Sequence, residues 1–230
     1  MADSYTTSID IDAPPETVFA HLTTVEGMLA WLGQHAELDA TPGGTFAVDI
    51  DGSPIRGRFE KVEPPHRVVV SWGMAGSEDF PPGSSRVEFT LTERASGGTR
   101  LELVHSGLPE TRSARYRKGW DVFLDRLAAR TAYDTLAQDQ LRQPGVGLGR
   151  SLRKETLTVR GKVFAFLGKD DRLVVKLPAV RAAALVAAGD AIVFESGGRP
   201  MKQWVAIALP NDWRALLDEA RAYVGPLSGS

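Results

Sequence analysis

An α+β fold in two domains is what this sequence predicts, and three observations carry the prediction. Between residues 45 and 105, apolar residues recur at alternate positions in short runs separated by turn chemistry. That is the mark of an antiparallel sheet with one buried face. Over residues 113–131 the period changes to three and four, placing Tyr116, Trp120, Phe123, Leu124 and Leu127 on one face of a long helix. Beyond a Gly-rich stretch at 143–151, a second series of strand and helix patterns begins. A curved sheet wrapped on one long helix leaves a cavity between them, so the first domain reads as a container for something apolar.

The elements follow in order. Residues 5–11 alternate Tyr5, Thr7, Ile9 and Ile11 as a strand, ended by Ala13-Pro14-Pro15. The two prolines suit a turn and the first positions of a helix, predicted as 17–22, with a second at 25–32. These helices are too brief to form a core and belong at the end of a sheet. Six strands are predicted at 35–40, 45–50, 55–62, 67–72, 85–92 and 99–105. The breakers between them include Pro42-Gly43-Gly44, Asp51-Gly52-Ser53-Pro54, Glu63-Pro64-Pro65 and Ser96-Gly97-Gly98. The loop 76–84 holds the acid pair Glu78-Asp79 and could border a pocket mouth.

In the second half, 158–167 and 172–177 read as a hairpin joined at 168–171, followed by a helix at 179–188 that Gly189 closes. Strands are predicted at 191–195 and 203–209, and Asn211 or Asp212 caps a last helix through Tyr223. Gly145-Val146-Gly147-Leu148-Gly149 is read as linker or turn. It lacks the preceding strand and following helix of a phosphate loop.

Composition narrows the function classes. The 230 residues allow about one or two domains. No apolar run reaches the ~18 residues that span a bilayer, and Met1–Thr7 lacks the basic start and apolar core of a signal peptide. Cysteine is absent, which removes disulfides and thiolate chemistry and fits a reducing cytoplasm. The net charge of −2 divides into −7 over residues 1–134 and +5 over 135–230, as two units with different surfaces would show. Histidines 21, 35, 66 and 105 fall one per element without metal-ligand spacing. No dinucleotide fingerprint, P-loop, zincin helix or nucleophile elbow is present. No cofactor and no metal are therefore expected.

Alternation selects the inward positions. Ligand contact is assigned to Trp31, Phe46, Val48, Phe59, Trp72, Phe89, Leu103, His105, Trp120 and Leu124, although for any one of them filling a core is the simpler role, since pocket walls and cores share composition. The tryptophans suit a wall, because an open pocket can satisfy their N–H through water. His105 is the one titratable residue looking inward. It is either an acid or base near neutral pH or a histidine satisfied beside Trp120, and the latter is favoured. Arg86, Glu88, Arg100 and Glu102 alternate outward as a cross-strand charge ladder.

The first half resembles a known family. The residues that carry the likeness are Ala13-Pro14-Pro15 with Val18, Trp31-Leu32-Gly33, Pro42-Gly43-Gly44-Thr45-Phe46 and Gly57. Further on come Glu63-Pro64-Pro65-His66-Arg67-Val68, Ser71-Trp72, Gly98-Thr99-Arg100-Leu101, His105-Ser106-Gly107-Leu108 and Gly119-Trp120 before Leu124. Over about residues 5–133 the chain resembles the Hsp90-ATPase-activator-homologue branch of the START-like (SRPBCC) superfamily. The resemblance implies a helix-grip domain, in which a seven-stranded antiparallel sheet grips its C-terminal helix around a pocket for small apolar molecules. It does not carry over the activity of the eukaryotic co-chaperone that names the branch.

Residues 134–230 resemble the YjbR/MmcQ-like and TfoX N-terminal families. The likeness rests on Gln143-Pro144-Gly145-Val146, Val159-Arg160-Gly161-Lys162-Val163-Phe164-Ala165, Leu173-Val174-Val175-Lys176-Leu177-Pro178, Arg199-Pro200-Met201-Lys202 and Trp204-Val205. It implies a small α+β domain with 134–143 as its first helix, and hence domains of 1–133 and 134–230. Some relatives are described as DNA-binding, which makes Lys162, Lys176, Arg199 and Lys202 candidates for nucleic-acid or anion contact. Arg199-Pro200-Met201-Lys202 itself reads as a turn. The acidic last helix, with Asp212, Asp218 and Glu219, counts against nucleic acid.

Three functions remain. The favoured one is a binding protein for a small apolar or amphipathic molecule, in a regulatory role, with a protein partner for the second domain. A cyclase- or hydratase-type enzyme would use the same pocket, with His105 and a second polar group. A nucleic-acid-linked regulator would work through the second domain.

Overall fold

Contacts along the backbone divide the chain into two units, Met1–Ala132 and Tyr133–Ser230. The computed structural model describes residues 3–151 and 154–225. The first unit opens with β1 (Asp3–Ile11), α1 (Pro15–Thr23) and α2 (Val25–Trp31). Pro14 and Pro15 start α1, and Thr24 ends it while capping α2 by accepting the Gly27 N–H at 3.1 Å. Next come β2 (His35–Leu38), β3 (Thr45–Ile50), β4 (Ser53–Glu63), β5 (Arg67–Trp72), β6 (Ser85–Glu93) and β7 (Thr99–Leu108). They form one antiparallel sheet in the order β1-β7-β6-β5-β4-β3-β2.

The register explains which residues meet α3 (Glu110–Leu141). Val48 lies opposite Ile55, Phe59 opposite Val70, Val87 opposite both Val70 and His105, and Phe89 opposite Leu103. Residues directly opposite share a face, so these side chains make one apolar surface. All of them are buried. The other face carries the charge ladder, with Arg67–Glu88 at 2.6 Å, Arg86–Glu60 at 2.8 Å and Arg100–Asp10 at 3.1 Å.

Four features of the second half differ from the sequence expectation. First, α3 is one uninterrupted helix to Leu141, not two meeting near residue 133. Second, the Gly-rich stretch is a strand, β8 (Val146–Ser151), paired with β9 (Lys154–Val159). Third, 158–167 is not one strand. Arg160 and Gly161 both adopt positive φ, 51° and 77°, and turn β9 into β10 (Lys162–Leu167). Fourth, Arg199-Pro200-Met201-Lys202 is not a turn but the start of β13 (Arg199–Ile207); the turn is Gly197-Gly198, at φ 58° and 75°.

The remaining elements are β11 (Leu173–Lys176), α4 (Ala179–Ala188), β12 (Ile192–Ser196) and α5 (Trp213–Val224). Gly189 closes α4 in the left-handed conformation, and the Asp212 side chain caps α5 by accepting the Ala215 N–H at 2.9 Å. The strands form a second sheet, β12-β13-β11-β10-β9-β8. Within this unit, Asp139 pairs with Arg214 and the Gln140 amide donates to Asp218, each at 2.8 Å, so residues 139–140 bind the first half of α5.

Candidate functional site

The first unit contains a groove of about 810 Å³. Its sheet side is Ile50, Asp51, Ser53, Ile55 and Trp72, with Leu32 and Met74 at the edge. Its helix side is α3 from Thr111 to Arg126. There Tyr116, Trp120 and Phe123 face the sheet, while Arg112, Arg115, Lys118, Val122 and Arg126 form the outer wall. A volume of this size accommodates a small organic molecule.

Gly119 lies between these two walls and lines the groove. It sits inside a long helix, where glycine costs about 1 kcal/mol relative to Ala. Packing does not explain it: a Cβ built there would meet only the Phe123 ring, at 3.7 Å, which is ordinary contact. The missing side chain instead leaves room in the groove.

Of the ten residues assigned to ligand contact, Trp72 and Trp120 line this groove. Trp31, Phe46, Val48, Phe59, Phe89, Leu103, His105 and Leu124 are buried in the core behind it. The tryptophan N–H groups do not need pocket water. Trp31 donates to the His21 carbonyl at 3.0 Å, Trp120 to His105 Nδ1 at 3.0 Å, and Trp72 to the Tyr116 hydroxyl at 3.4 Å.

The environment of His105 defines its protonation. An indole N–H only donates, so Nδ1 of His105 accepts and the ring proton sits on Nε2. Nε2 lies 3.0 Å from Ser85 Oγ and donates to it, and that hydroxyl donates onward to the Trp72 carbonyl at 3.1 Å. Burial pushes the imidazole down to about 3, from the usual 6.5. Both ring nitrogens are engaged inside the core, which leaves His105 no free nitrogen for acid–base work. Ser85 is the polar partner that the sequence reading lacked, although its parity with Val87 and Phe89 places it inward.

The loop after β5 completes one end of the groove. Phe80 is fully buried there, 5.5 Å from the Tyr116 ring and under the Arg112 guanidinium at 5.4 Å. Arg112 grips Asp79 at 2.8 and 3.1 Å, and that hydrogen bonding holds the Asp79 carboxyl down at about 2. Burial raises the Tyr116 hydroxyl above the usual tyrosine value, so it stays a neutral donor and acceptor at the groove wall. Sequence reasoning missed Arg112, Arg115, Lys118 and Arg126. Arg112, Arg115 and Lys118 at steps of three, with Arg126 about two turns on, beside the apolar stripe were the available signal.

In the second unit, Lys162, Arg199 and Lys202 are exposed and Lys176 is half-buried. The antiparallel register sets the start of β10 beside the end of β11 and the start of β13, so all four cations lie at one end of the sheet. One apolar cluster of this sheet joins Phe166, Val174 and Ala206, with Val163, Phe194 and half-buried Trp204 packed on them. Phe164 is core.

Among the described residues, no three His, Asp or Glu side chains gather as a metal site, and no helix is long and apolar enough to cross a membrane.

Comparison with known proteins follows the two units. Residues 12–132 match the model of the family described as Activator of Hsp90 ATPase homolog 1-like protein, and residues 141–222 match that of YjbR. No curated protein matches the chain. Among solved structures, an AHSA1-like protein from Rhizobium etli is 42% identical, covering 57% of this chain and 83% of its own, with a TM-score of 0.49. A Mesorhizobium loti protein is 25% identical, covering 58% and 98%, with a TM-score of 0.51. The Aha1 dimer from Colwellia psychrerythraea is also 25% identical, covering 56% and 96%, at 0.50. Both expected resemblances stand, and the second domain matches YjbR. Because residues 12–132 are more than half of the 230-residue chain, the chain belongs to the Activator of Hsp90 ATPase homolog 1-like family.

Proposed function

We propose that the first domain binds a small molecule with a flat apolar body in the groove between α3 and the β3–β4 hairpin of the sheet. The observation that carries this reading is Gly119, a helix-interior glycine that packing does not require and that faces the groove. Tyr116 and Trp120 from the helix and Trp72 from the sheet supply aromatic surface, and Ile50, Ile55 and Met74 supply aliphatic surface. An enzymatic role through His105 is not favoured, because its imidazole is sealed between Trp120 and Ser85.

Titration with N-phenyl-1-naphthylamine, a neutral fluorescent probe, tests the proposal. Saturable enhancement at one probe per chain is expected, and Gly119→Leu should weaken it at least about tenfold. The same substitution should leave the melting temperature unchanged or raised, since Leu is the better helix former. Absence of saturation, or full binding in the Leu variant, removes the groove reading.

A second reading has its own observation. Lys162, Lys176, Arg199 and Lys202 gather at one end of the second domain's sheet, and among the described residues none is in an ion pair. Such a cluster would meet the phosphates of nucleic acid. Anisotropy of a labelled DNA duplex decides it: affinity falling steeply with added salt supports the reading, and no measurable binding at low salt ends it.

A further inference from the structure

We propose that the ligand of the groove is an amphipathic organic anion, whose acidic group is held by Arg115 and Lys118 while its apolar body lies over Gly119. The inference deepens the small-molecule reading above and rests on it. It comes from the charges around the groove, which are four cations and two carboxylates.

These charges are not equally available. Asp79 and Arg112 satisfy one another through the paired contacts at 2.8 and 3.1 Å. Arg126 donates to the Trp31 carbonyl at 3.2 Å and lies 5.7 Å over the Phe123 ring. Asp51 accepts the Gln34 amide at 3.0 Å. Arg115 and Lys118 are different. Both are exposed, both line the groove, and no carboxylate pairs with either among the described residues. Three residues apart on one helix, they are neighbours on its surface and repel each other mildly, which an anion between them would relieve.

The wall changes character one turn further along. Val122 lines the same side and is 52% exposed, a large share for an apolar side chain. The outer wall therefore presents a cationic segment followed by an apolar one, and Gly119 lies beneath both. A neutral ligand would use only the apolar segment. A carboxylate, sulfonate or phosphate ester on a ring system or short chain would use both. Exposed cations are weak individually, so the acidic group should add about tenfold to affinity, with the apolar body providing most of the rest.

Two fluorescent probes isolate the acidic group. 8-Anilino-1-naphthalenesulfonate carries the rings of N-phenyl-1-naphthylamine plus a sulfonate. The sulfonate is expected to bind about tenfold more tightly at low ionic strength, with the advantage shrinking as salt is added. In an Arg115→Gln, Lys118→Gln double variant the ratio of the two affinities should collapse toward one. If the neutral probe binds and the sulfonate gains nothing, or if the gain survives the double substitution, the anion proposal is overturned while the groove reading stands. If neither probe saturates, both fall. Gly119→Leu keeps both cations and should lose both probes; sulfonate binding that persists there marks adhesion to the helix surface and overturns the proposal. Displacement of the sulfonate by free dodecanoate points to a soluble acid, and displacement by phosphatidylglycerol vesicles points to an acidic lipid. Either result sustains an anionic site.

Discussion

Replacing His105 by Ala is expected to lower the free energy of unfolding by about 4 kcal/mol, read as a lower urea midpoint at unchanged slope. Two effects add. Removing a fully buried ring leaves a cavity bordered by Trp72, Trp120 and Tyr116, whose ring centroids lie 5.8, 5.9 and 5.2 Å from that of His105. It also leaves the Trp120 N–H without its acceptor in the core, a cost of about 1–3 kcal/mol by itself. His105→Gln retains an amide that can receive the indole N–H and should recover part of the loss. A midpoint that does not move in the Ala variant would show that the Trp120–His105–Ser85 chain contributes nothing to the fold.

Acid should weaken the native protein well before the carboxylates titrate. The folded imidazole is held at about 3 by burial, whereas the unfolded chain protonates near 6.5. Between these values the unfolded state binds a proton that the folded state does not, so stability falls as pH falls. Across the whole window the loss approaches about 4 kcal/mol, and about 2 kcal/mol of it falls between pH 6.5 and about 5. Asp79 acts in the same direction at lower pH, its contribution being lost as pH drops from 3.8 through about 2, but it is exposed and adds little. Urea melts across the upper window should therefore show a slope in the parent protein that flattens in His105→Ala. Equal slopes in the two proteins would mean that this histidine is not held neutral.

The first domain was legible because its signals are local and agree with each other. Alternation within most of the strands between Phe46 and Leu103 points to a sheet with one apolar face, and the turns between strands are marked by Gly and Pro. The second domain conceals its strands. The glycines of β8 resemble a linker, yet a Cβ on Gly149 would come within 2.7 Å of the Thr158 side chain on β9, so any larger residue there would have to displace Thr158. The turn at Arg160-Gly161 carries Arg where Asn or Asp would have announced it. The length of α3 was cut short by an expected boundary, although nothing between Trp120 and Gln143 breaks a helix.

At the site, alternation finds every side chain that points inward but cannot rank them by distance from the opening. His105 and Leu103 are inward and sealed, whereas Trp72 and Trp120 are inward and border space. The difference lies in what α3 and the loop around Phe80 cover, and that is tertiary information. The outer wall was invisible for the opposite reason: Arg115 and Lys118 look like any solvated helix face until the groove is seen beside them.

Gly119 also bears on how this protein would respond to selection for heat tolerance. A survey of stabilising substitutions would place Gly119→Ala near the top, since it removes a helix-interior glycine without a clash and promises about 1 kcal/mol. Each added methyl at that point, however, takes volume from the groove. Variants recovered for thermal resistance alone should therefore accumulate there, while a screen that also demands occupancy should return glycine. Durability and capacity are opposed at a single backbone carbon.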